Sequence, residues 1–241
     1  GTQPHGGASA YLALFRLKTV RKLLAADLLL GVAPGITGAL VFFFFGWIKG
    51  YDHAEASLLM LVYFVAGLFG APIWTWLAVR VGKDRALAAS SLIFAAAYVG
   101  ATLLPGGNFA LSAAAMFVAG LPYAANLLLL RAMMADAGDE VRLEGGVDRT
   151  GLMFSILSAT TKLGHVFALV PYALLQAVGF RADAAPGGNG PEALLALQVL
   201  FIAVPALLMI AAAWVLKGYP LTAARHDAIR VELESRDGAP A

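Results

Sequence analysis

The sequence predicts an all-α, polytopic membrane protein in which six transmembrane helices pack as one bundle. Of its 241 residues, 60% are hydrophobic and only 13% are charged, and the mean hydropathy is +0.78. Such values lie far outside the range of soluble globular domains. The apolar residues fall into runs close to the roughly 20 residues that a helix needs to cross the hydrocarbon core. We therefore expect the lipid bilayer, and no nucleic acid, as a partner.

Polar and Pro/Gly-rich segments divide the chain into three parts. Residues 1–22 are expected to form a cytoplasmic linker that ends in a basic amphipathic segment, and residues 218–241 a charged cytoplasmic tail. Within the tail, residues 223–235 have the composition of a short surface helix. The six-helix bundle is expected between them, over residues 23–217, with spans at about 23–48, 57–81, 85–104, 109–134, 151–180 and 193–217.

The first span combines an acidic residue with residues that favour a kink or close helix packing, namely Gly31, Pro34, Gly35 and Gly38. Asp27 lies roughly one turn inside the membrane from the preceding basic cluster. It is a candidate ligand for a cation or proton, or alternatively the partner of Arg21 or Lys22 in a salt link. In the fourth span, Asn126 is a second candidate for substrate or cation binding.

The fifth span carries the strongest functional signal. Lys162 is its only formal charge before Phe180 and lies too deep to reach either interface easily. Ser155, Ser158, Lys162 and His165 recur at helical spacing, with Thr161 beside them, and so share one polar face. In lipid, such a face turns toward partner helices or a water-filled cavity. We predict a substrate- or cation-binding site formed by Ser158, Thr161, Lys162 and His165. The alternative is a structural Lys162 paired with a carboxylate.

Charged residues at the predicted cytoplasmic ends of the helices form a second candidate group. Fourteen of the 17 basic residues lie in or beside the N-terminal segment, the second-to-third link, the fourth-to-fifth loop and the tail. By the positive-inside rule, both termini are cytoplasmic. These ends carry candidate gating ion pairs, or charges that only set the topology: Arg80, Lys83, Arg85, Asp136, Asp139 and Arg149.

Two segments resemble known transporters. Residues 70–87, GAPIWTWLAVRVGKDRAL, resemble the helix-loop-helix signature of the major facilitator superfamily. Residues 133–164 are similar to the glycoside–pentoside–hexuronide:cation symporters, the branch of the melibiose carrier. The matching positions are Ala135, Asp136, Asp139, Arg149, Gly151 and Lys162.

The resemblance implies that the chain is the C-terminal half of a twelve-helix MFS fold in an inner (plasma) membrane. A missing N-terminal six-helix half would supply acidic residues for the coupling cation and the solute, and Lys162 would reach across to them. The implied activity is cation-coupled symport of a sugar or related small solute by alternating access. No cofactor is implied beyond Na⁺ or H⁺ as the coupling ion. Leu127 and Leu157 stand where the family has aromatic and amide contacts to sugar.

Other classes of membrane protein remain alternatives. The chain is compatible with an MFS exporter of other substrates, or with a scaffold, receptor or oligomeric channel. An enzyme is not expected, because the sequence shows no nucleophile–base pair or metal-ligand cluster. With no cysteine in the chain, a thiolate metal site is excluded as well.

The charge distribution makes a direct prediction about topology. Single cysteines introduced at Asn108 and Gly188 should react with a membrane-impermeant maleimide on intact cells, since both lie in loops poor in basic residues. The absence of native cysteines gives these variants no background labelling. Labelling of Gly188→Cys only after permeabilisation would contradict the orientation.

Overall fold

The computed structural model describes residues 14–167, 169–184 and 187–237, apart from the side chains of Thr102 and His165. Over these residues the secondary structure is helical, with no strand. The helices are α1 (Lys18–Phe43), α2 (His53–Val81), α3 (Lys83–Thr102), α4 (Phe109–Gly120), α5 (Tyr123–Gly145), α6 (Thr150–Phe167), α7 (Val170–Ala177), α8 (Pro191–Gln198), α9 (Val204–Leu216) and α10 (Ala223–Asp237).

Four stretches of the described chain are long and apolar enough to cross a membrane: Lys18–Ile48, His53–Val81, Phe109–Gly145 and Pro191–Leu216. The first joins α1 to a π-helical turn, Phe44–Ile48, and the last joins α8 to α9 through a second π turn, Val199–Ala203. The other long helices pack against them, α6 along α1 and α3 along α9. The expected class, an all-α polytopic membrane protein, is confirmed.

The helix bounds differ from the predicted spans in several places. α1 begins at Lys18, so the end of the predicted basic segment belongs to this helix. The predicted span 109–134 is divided between α4 and α5. α5 continues to Gly145 through residues expected to form a loop and is capped by Gly146, whose φ of 66° is left-handed. The predicted span 151–180 is divided between α6 and α7, with Pro171 in the first turn of α7. Residues 1–13 of the predicted N-terminal linker lie outside the described residues.

Glycines bring helix backbones into direct contact at two places in the bundle. A Cβ atom on Gly120 of α4 would lie 2.1 Å from the carbonyl oxygen of Tyr63 in α2. On Gly164 of α6, it would lie 3.0 Å from the carbonyl carbon of Gly31 in α1. Small residues allow this approach, which is how helices gain van der Waals contact where lipid removes the hydrophobic driving force.

The two π turns meet at one end of the bundle. Phe44 and Phe201 stack there with ring centroids 4.2 Å apart. Lys49 follows the first π turn, and its Nζ donates to the carbonyl oxygens of Ala101 and Leu104 at 3.1 and 2.6 Å. Burial lowers the pKa of Lys49. This end is therefore closed by aromatic packing and by one lysine that satisfies carbonyls at the end of α3.

The contact at Gly120 predicts a packing defect. Gly120→Ala should lower the free energy of unfolding by about 1–3 kcal/mol, because the new methyl group forces α2 and α4 apart. Reversible unfolding in mixed micelles measures this change. Gly100→Ala is the matched control, since nothing lies within 4 Å of its added Cβ and alanine favours the helix. Equal effects of the two substitutions would contradict the packing argument.

Candidate functional site

A cavity of about 420 Å³ lies between α1, α2, α3, α4, α5 and α6. This volume is in the range of sites that hold small molecules, roughly 300–1,000 Å³. Most of its wall is apolar or aromatic. The polar and charged side chains in the wall are those of Asp27, Thr37, Tyr63, Tyr98, Tyr123, Asn126, Arg131 and Thr161.

Asp27 is held by two hydroxyl groups from α6. Its side chain is buried, with 6% of its surface exposed. Thr160 donates a hydrogen bond to Oδ2 of Asp27, and the Thr161 hydroxyl lies 3.2 Å from both carboxylate oxygens. Lys22, an expected alternative partner, instead donates to the carbonyl oxygens of Val215 and Lys217 at the end of α9. The sequence did not indicate Thr160.

These hydrogen bonds belong to a regular contact between α1 and α6–α7. Asp27 bonds Thr160, Gly31 packs on Gly164, and the Tyr172 hydroxyl donates to the carbonyl oxygen of Ala39 at 2.6 Å. Each pair is separated by 133 residues in the sequence. The two segments therefore run parallel and in constant register along the cavity wall.

Asn126 and Arg131 are the polar contribution of α5 to the cavity. Asn126 is half-buried, and its Oδ1 atom has no hydrogen-bond partner among the described residues. Arg131 is exposed in the cavity wall. In the sequence, Arg131 contributes to the basic residues that determine topology. Its position between apolar residues was also a signal for a functional charge within the membrane. Both side chains are available to a polar solute.

Lys162 and Ser158 lie beside the cavity, on an exposed surface of α6. The Ser158 hydroxyl donates to the carbonyl oxygen of Phe154 in its own helix at 2.8 Å. Within the described chain, Lys162 makes no hydrogen bond or ion pair. Of the predicted face, only Thr161 lines the cavity; the His165 side chain is outside the described residues. Leu127 and Leu157 also line the cavity and offer it only apolar surface.

The predicted cytoplasmic charges are partly brought together. Lys83 and Asp136 form a salt bridge of 2.5 Å, and Nε2 of His226 lies 2.9 Å from Asp139 and 3.7 Å from Asp136. The other three predicted residues, Arg80, Arg85 and Arg149, have no ion pair in the part of the chain described. Arg80 instead lies over the ring of Trp76, 4.2 Å from its centroid.

The acidic side chains of α5 bind the tail helix α10. Asp136, Asp139 and Glu140 share one face of α5. The buried Glu140 accepts from Arg225 at 3.1 Å, and Arg236 donates to the carbonyl oxygen of Leu143. The sequence analysis did not identify Glu140, Arg225 and His226. The acidic residues at positions 136, 139 and 140 share a helix face, and this spacing could have indicated a binding surface for basic residues of the tail. We call this contact the α5–α10 ion network.

Tyr219 lies next to this network. Burial raises the pKa of Tyr219, and the negative charges of Asp136, Glu140 and Asp84 raise it further. Its hydroxyl is buried without a hydrogen-bond partner in the described chain. The phenol therefore stays protonated at neutral pH. No group of three or more metal-ligating side chains occurs over the same residues.

A bundle of apolar helices around a cavity of solute size that holds a few polar and charged side chains fits a membrane transport protein. The model of the "MFS/sugar transport protein" family matches residues 8–223. The chain therefore belongs to this family of the major facilitator superfamily.

Proteins named as a symporter, a carrier homolog and a transporter are similar to the chain. An uncharacterized symporter of Synechocystis is 27% identical over 82% of this chain and 37% of its own length. The glucuronide carrier protein homolog of Escherichia coli is 24% identical over 77% of this chain and 40% of its own length. The sphingosine-1-phosphate transporter MFSD2B of Xenopus tropicalis is 27% identical over 71% and 33%. The chain thus spans two fifths or less of the length of these curated relatives.

The α5–α10 ion network predicts a specific effect of tail substitutions. Arg225→Ala should speed amide hydrogen exchange in Ala223–Asp237 by about tenfold or more, because it leaves the Glu140 carboxylate buried without its cation. Mass spectrometry of the exchanged protein measures this.

The control is Arg230→Ala. Arg230 lies 3.9 Å from Glu234, and both side chains are exposed, so this pair contributes little. Unchanged exchange in Arg225→Ala, or equal increases in both variants, would show that the buried pair does not hold the tail.

Proposed function

We propose that the chain is the C-terminal six-helix half of a secondary active transporter, which couples movement of a sugar or related small polar solute to Na⁺ or H⁺ by alternating access. The observation that carries this proposal is the 420 Å³ cavity, walled by apolar helices yet containing Asp27, Asn126 and Arg131. Polar groups buried at membrane depth are costly, and in carriers they mark the path of solute and ion.

The cavity wall suits a hydroxyl-rich solute. Tyr63, Tyr98 and Tyr123 present aromatic surface for the apolar face of a sugar ring. The unpartnered Oδ1 of Asn126 accepts a hydrogen bond from a sugar hydroxyl. Arg131 adds a fixed positive charge that would bind a carboxylate bidentately. The similarity to a glucuronide carrier homolog is consistent with a solute of this kind.

Lys162 requires a partner from outside this chain. An ammonium near the centre of the bilayer costs about 2.5–3.5 kcal/mol on insertion scales, and Lys162 is exposed on the surface of α6. In the proposed transporter this surface faces an N-terminal six-helix half, whose carboxylates neutralise the lysine. A cation that binds those carboxylates displaces Lys162, which links its occupancy to solute binding.

We propose that the protein lies in an inner (plasma) membrane with both termini in the cytoplasm. The α5–α10 ion network then lies on the cytoplasmic side. Lys83, Asp136 and His226 join the start of α3, the end of α5 and the tail. Ion pairs between helix ends are suited to hold one access state and to break in the other.

The test replaces Lys162 in the intact transporter, this chain with its N-terminal half, reconstituted in vesicles. The probes are a labelled glucuronide, a labelled neutral methyl glycoside and sphingosine-1-phosphate. Lys162→Ala should abolish Na⁺- or H⁺-driven accumulation of the sugar probe, because it leaves a buried carboxylate of the other half unpaired. Lys162→Arg should not restore full activity, since a planar guanidinium does not replace a compact, displaceable ammonium.

Ser155→Ala is the control, on the same exposed surface of α6, and should retain most of the accumulation. Wild-type accumulation in Lys162→Ala would make the lysine merely structural and contradict the coupling mechanism. Uptake of the lipid probe alone would contradict the solute class.

A further inference from the structure

We propose that Asp27 is a proton-binding site in which the hydroxyls of Thr160 and Thr161 exchange their acceptors when the carboxylate takes up a proton. The inference does not depend on the proposed function. The proton site lies within this chain, between α1 and α6, apart from the carboxylates of the other half to which the coupling cation binds in that proposal.

Each hydroxyl has a second acceptor within reach. The Thr160 hydroxyl lies 2.8 Å from the carbonyl oxygen of Leu157 and 3.3 Å from that of Ile156. The Thr161 hydroxyl lies 2.9 Å from the Leu157 oxygen. A hydroxyl has one proton to donate and two lone pairs to accept. Each threonine therefore donates either to Asp27 or to its own helix, but not to both at full strength.

Both protonation states of Asp27 are satisfied by this arrangement. When Asp27 is ionised, the two hydroxyls donate to the carboxylate. When a proton binds a carboxylate oxygen, the new O–H donates to a threonine oxygen, and the threonine protons turn to the helix carbonyls. One proton enters from the cavity, no covalent bond other than O–H forms, and no buried donor is left unpaired. The site avoids the usual cost of such an orphaned group.

A proton can reach Asp27 from the cavity although the side chain is buried. Asp27 is 6% exposed but forms part of the cavity wall, so water in the cavity can deliver the proton. A proton needs one acceptor to bind and one partner to which the new O–H can donate, and the carboxylate and the two hydroxyls supply both.

Charged and titratable groups from every neighbouring helix influence this site. On α1, Lys22 is bound to carbonyl oxygens of Val215 and Lys217. On α6, Lys162 and His165 follow Thr161. The side chain of His165 lies outside the described residues. The remaining groups in the cavity wall are Tyr63 on α2, Tyr98 on α3, and Tyr123 and Arg131 on α5. Of these groups, Arg131 is the one that carries a permanent positive charge.

The proton changes a bond that joins two helices. Asp27 and Thr160 lie four residues before Gly31 and Gly164, where the backbones of α1 and α6 are in contact. Loss of both hydroxyl donors to the carboxylate weakens the link between the helices one turn from this contact. Proton binding thus acts on helix packing as well as on charge.

The experiment is infrared titration of the intact transporter in lipid, with H⁺ as the only probe. A carboxylic-acid C=O band that disappears with rising pH should be present in wild type and missing in Asp27→Asn. In Thr160→Val and Thr161→Val, its midpoint should move to higher pH by about one to two units, the effect of losing one charge-assisted hydrogen bond. Thr75→Val is the matched control: this exposed threonine donates to Ala71 within α2 and should leave the band unchanged.

The inference is overturned if no titrating band is lost in Asp27→Asn. If Asp27→Asn fails to fold, the midpoints of the C=O band are compared instead. The inference is also overturned if Thr160→Val and Thr161→Val both titrate at the same pH as Thr75→Val. Because the titration needs no solute, it fails or succeeds independently of transport. Vesicles that accumulate no probe under any gradient, while the Asp27 band titrates as expected, refute the proposed function and leave the proton site standing.

Discussion

The backbone contact between Gly31 and Gly164 determines what the cavity wall can contain. With no side chain at either position, α1 and α6 approach until an added Cβ on Gly164 would lie 3.0 Å from the Gly31 carbonyl carbon. Only at this separation do the short side chains of Thr160 and Thr161 reach Asp27. A methyl group on Gly164 would press on the α1 backbone, whereas one on Gly31 would lie 3.8 Å from the Cα of Gly164, an ordinary van der Waals distance. Gly164 is therefore the residue on which the hydroxyl donors of Asp27 depend.

Different interactions stabilise the two ends of the bundle. At one end, Phe44 stacks on Phe201 between the π turns, a contact that neither salt nor pH weakens. At the other, the α5–α10 ion network joins helix ends through charges, several of them on half-buried or exposed side chains. Such pairs contribute modestly and are screened by salt. Salt therefore acts on the ionic end of the bundle and not on the aromatic one.

The apolar runs were enough to predict the class of fold and the approximate helices, because length and hydropathy are local properties. The partners of Asp27 were not predictable, since Thr160 lies 133 residues away. The spacing of Ser158, Thr161 and Lys162 predicted one polar face, but only Thr161 lines the cavity, and Ser158 and Lys162 lie on the exposed surface beside it. It could not give the rotation of that face, which packing at Gly164 determines. The extension of α5 to Gly145 was missed because its acidic residues resemble a loop until the tail helix binds them.

The constant register of α1 and α6–α7 restricts how this pair can move. Sliding would break the contacts at Asp27, Gly31 and Ala39 together, whereas tilting about the glycines preserves the central one. The Asp27–Thr160 bond lies about 6 Å from that pivot, and the Ala39–Tyr172 bond about 12 Å beyond it on the other side. Because Tyr172 belongs to α7 and Thr160 to α6, a tilt that separates Thr160 from Asp27 reaches Tyr172 only through the junction of the two helices. The hydrogen bond from Tyr172 to Ala39 can therefore hold α7 on α1 while α6 tilts.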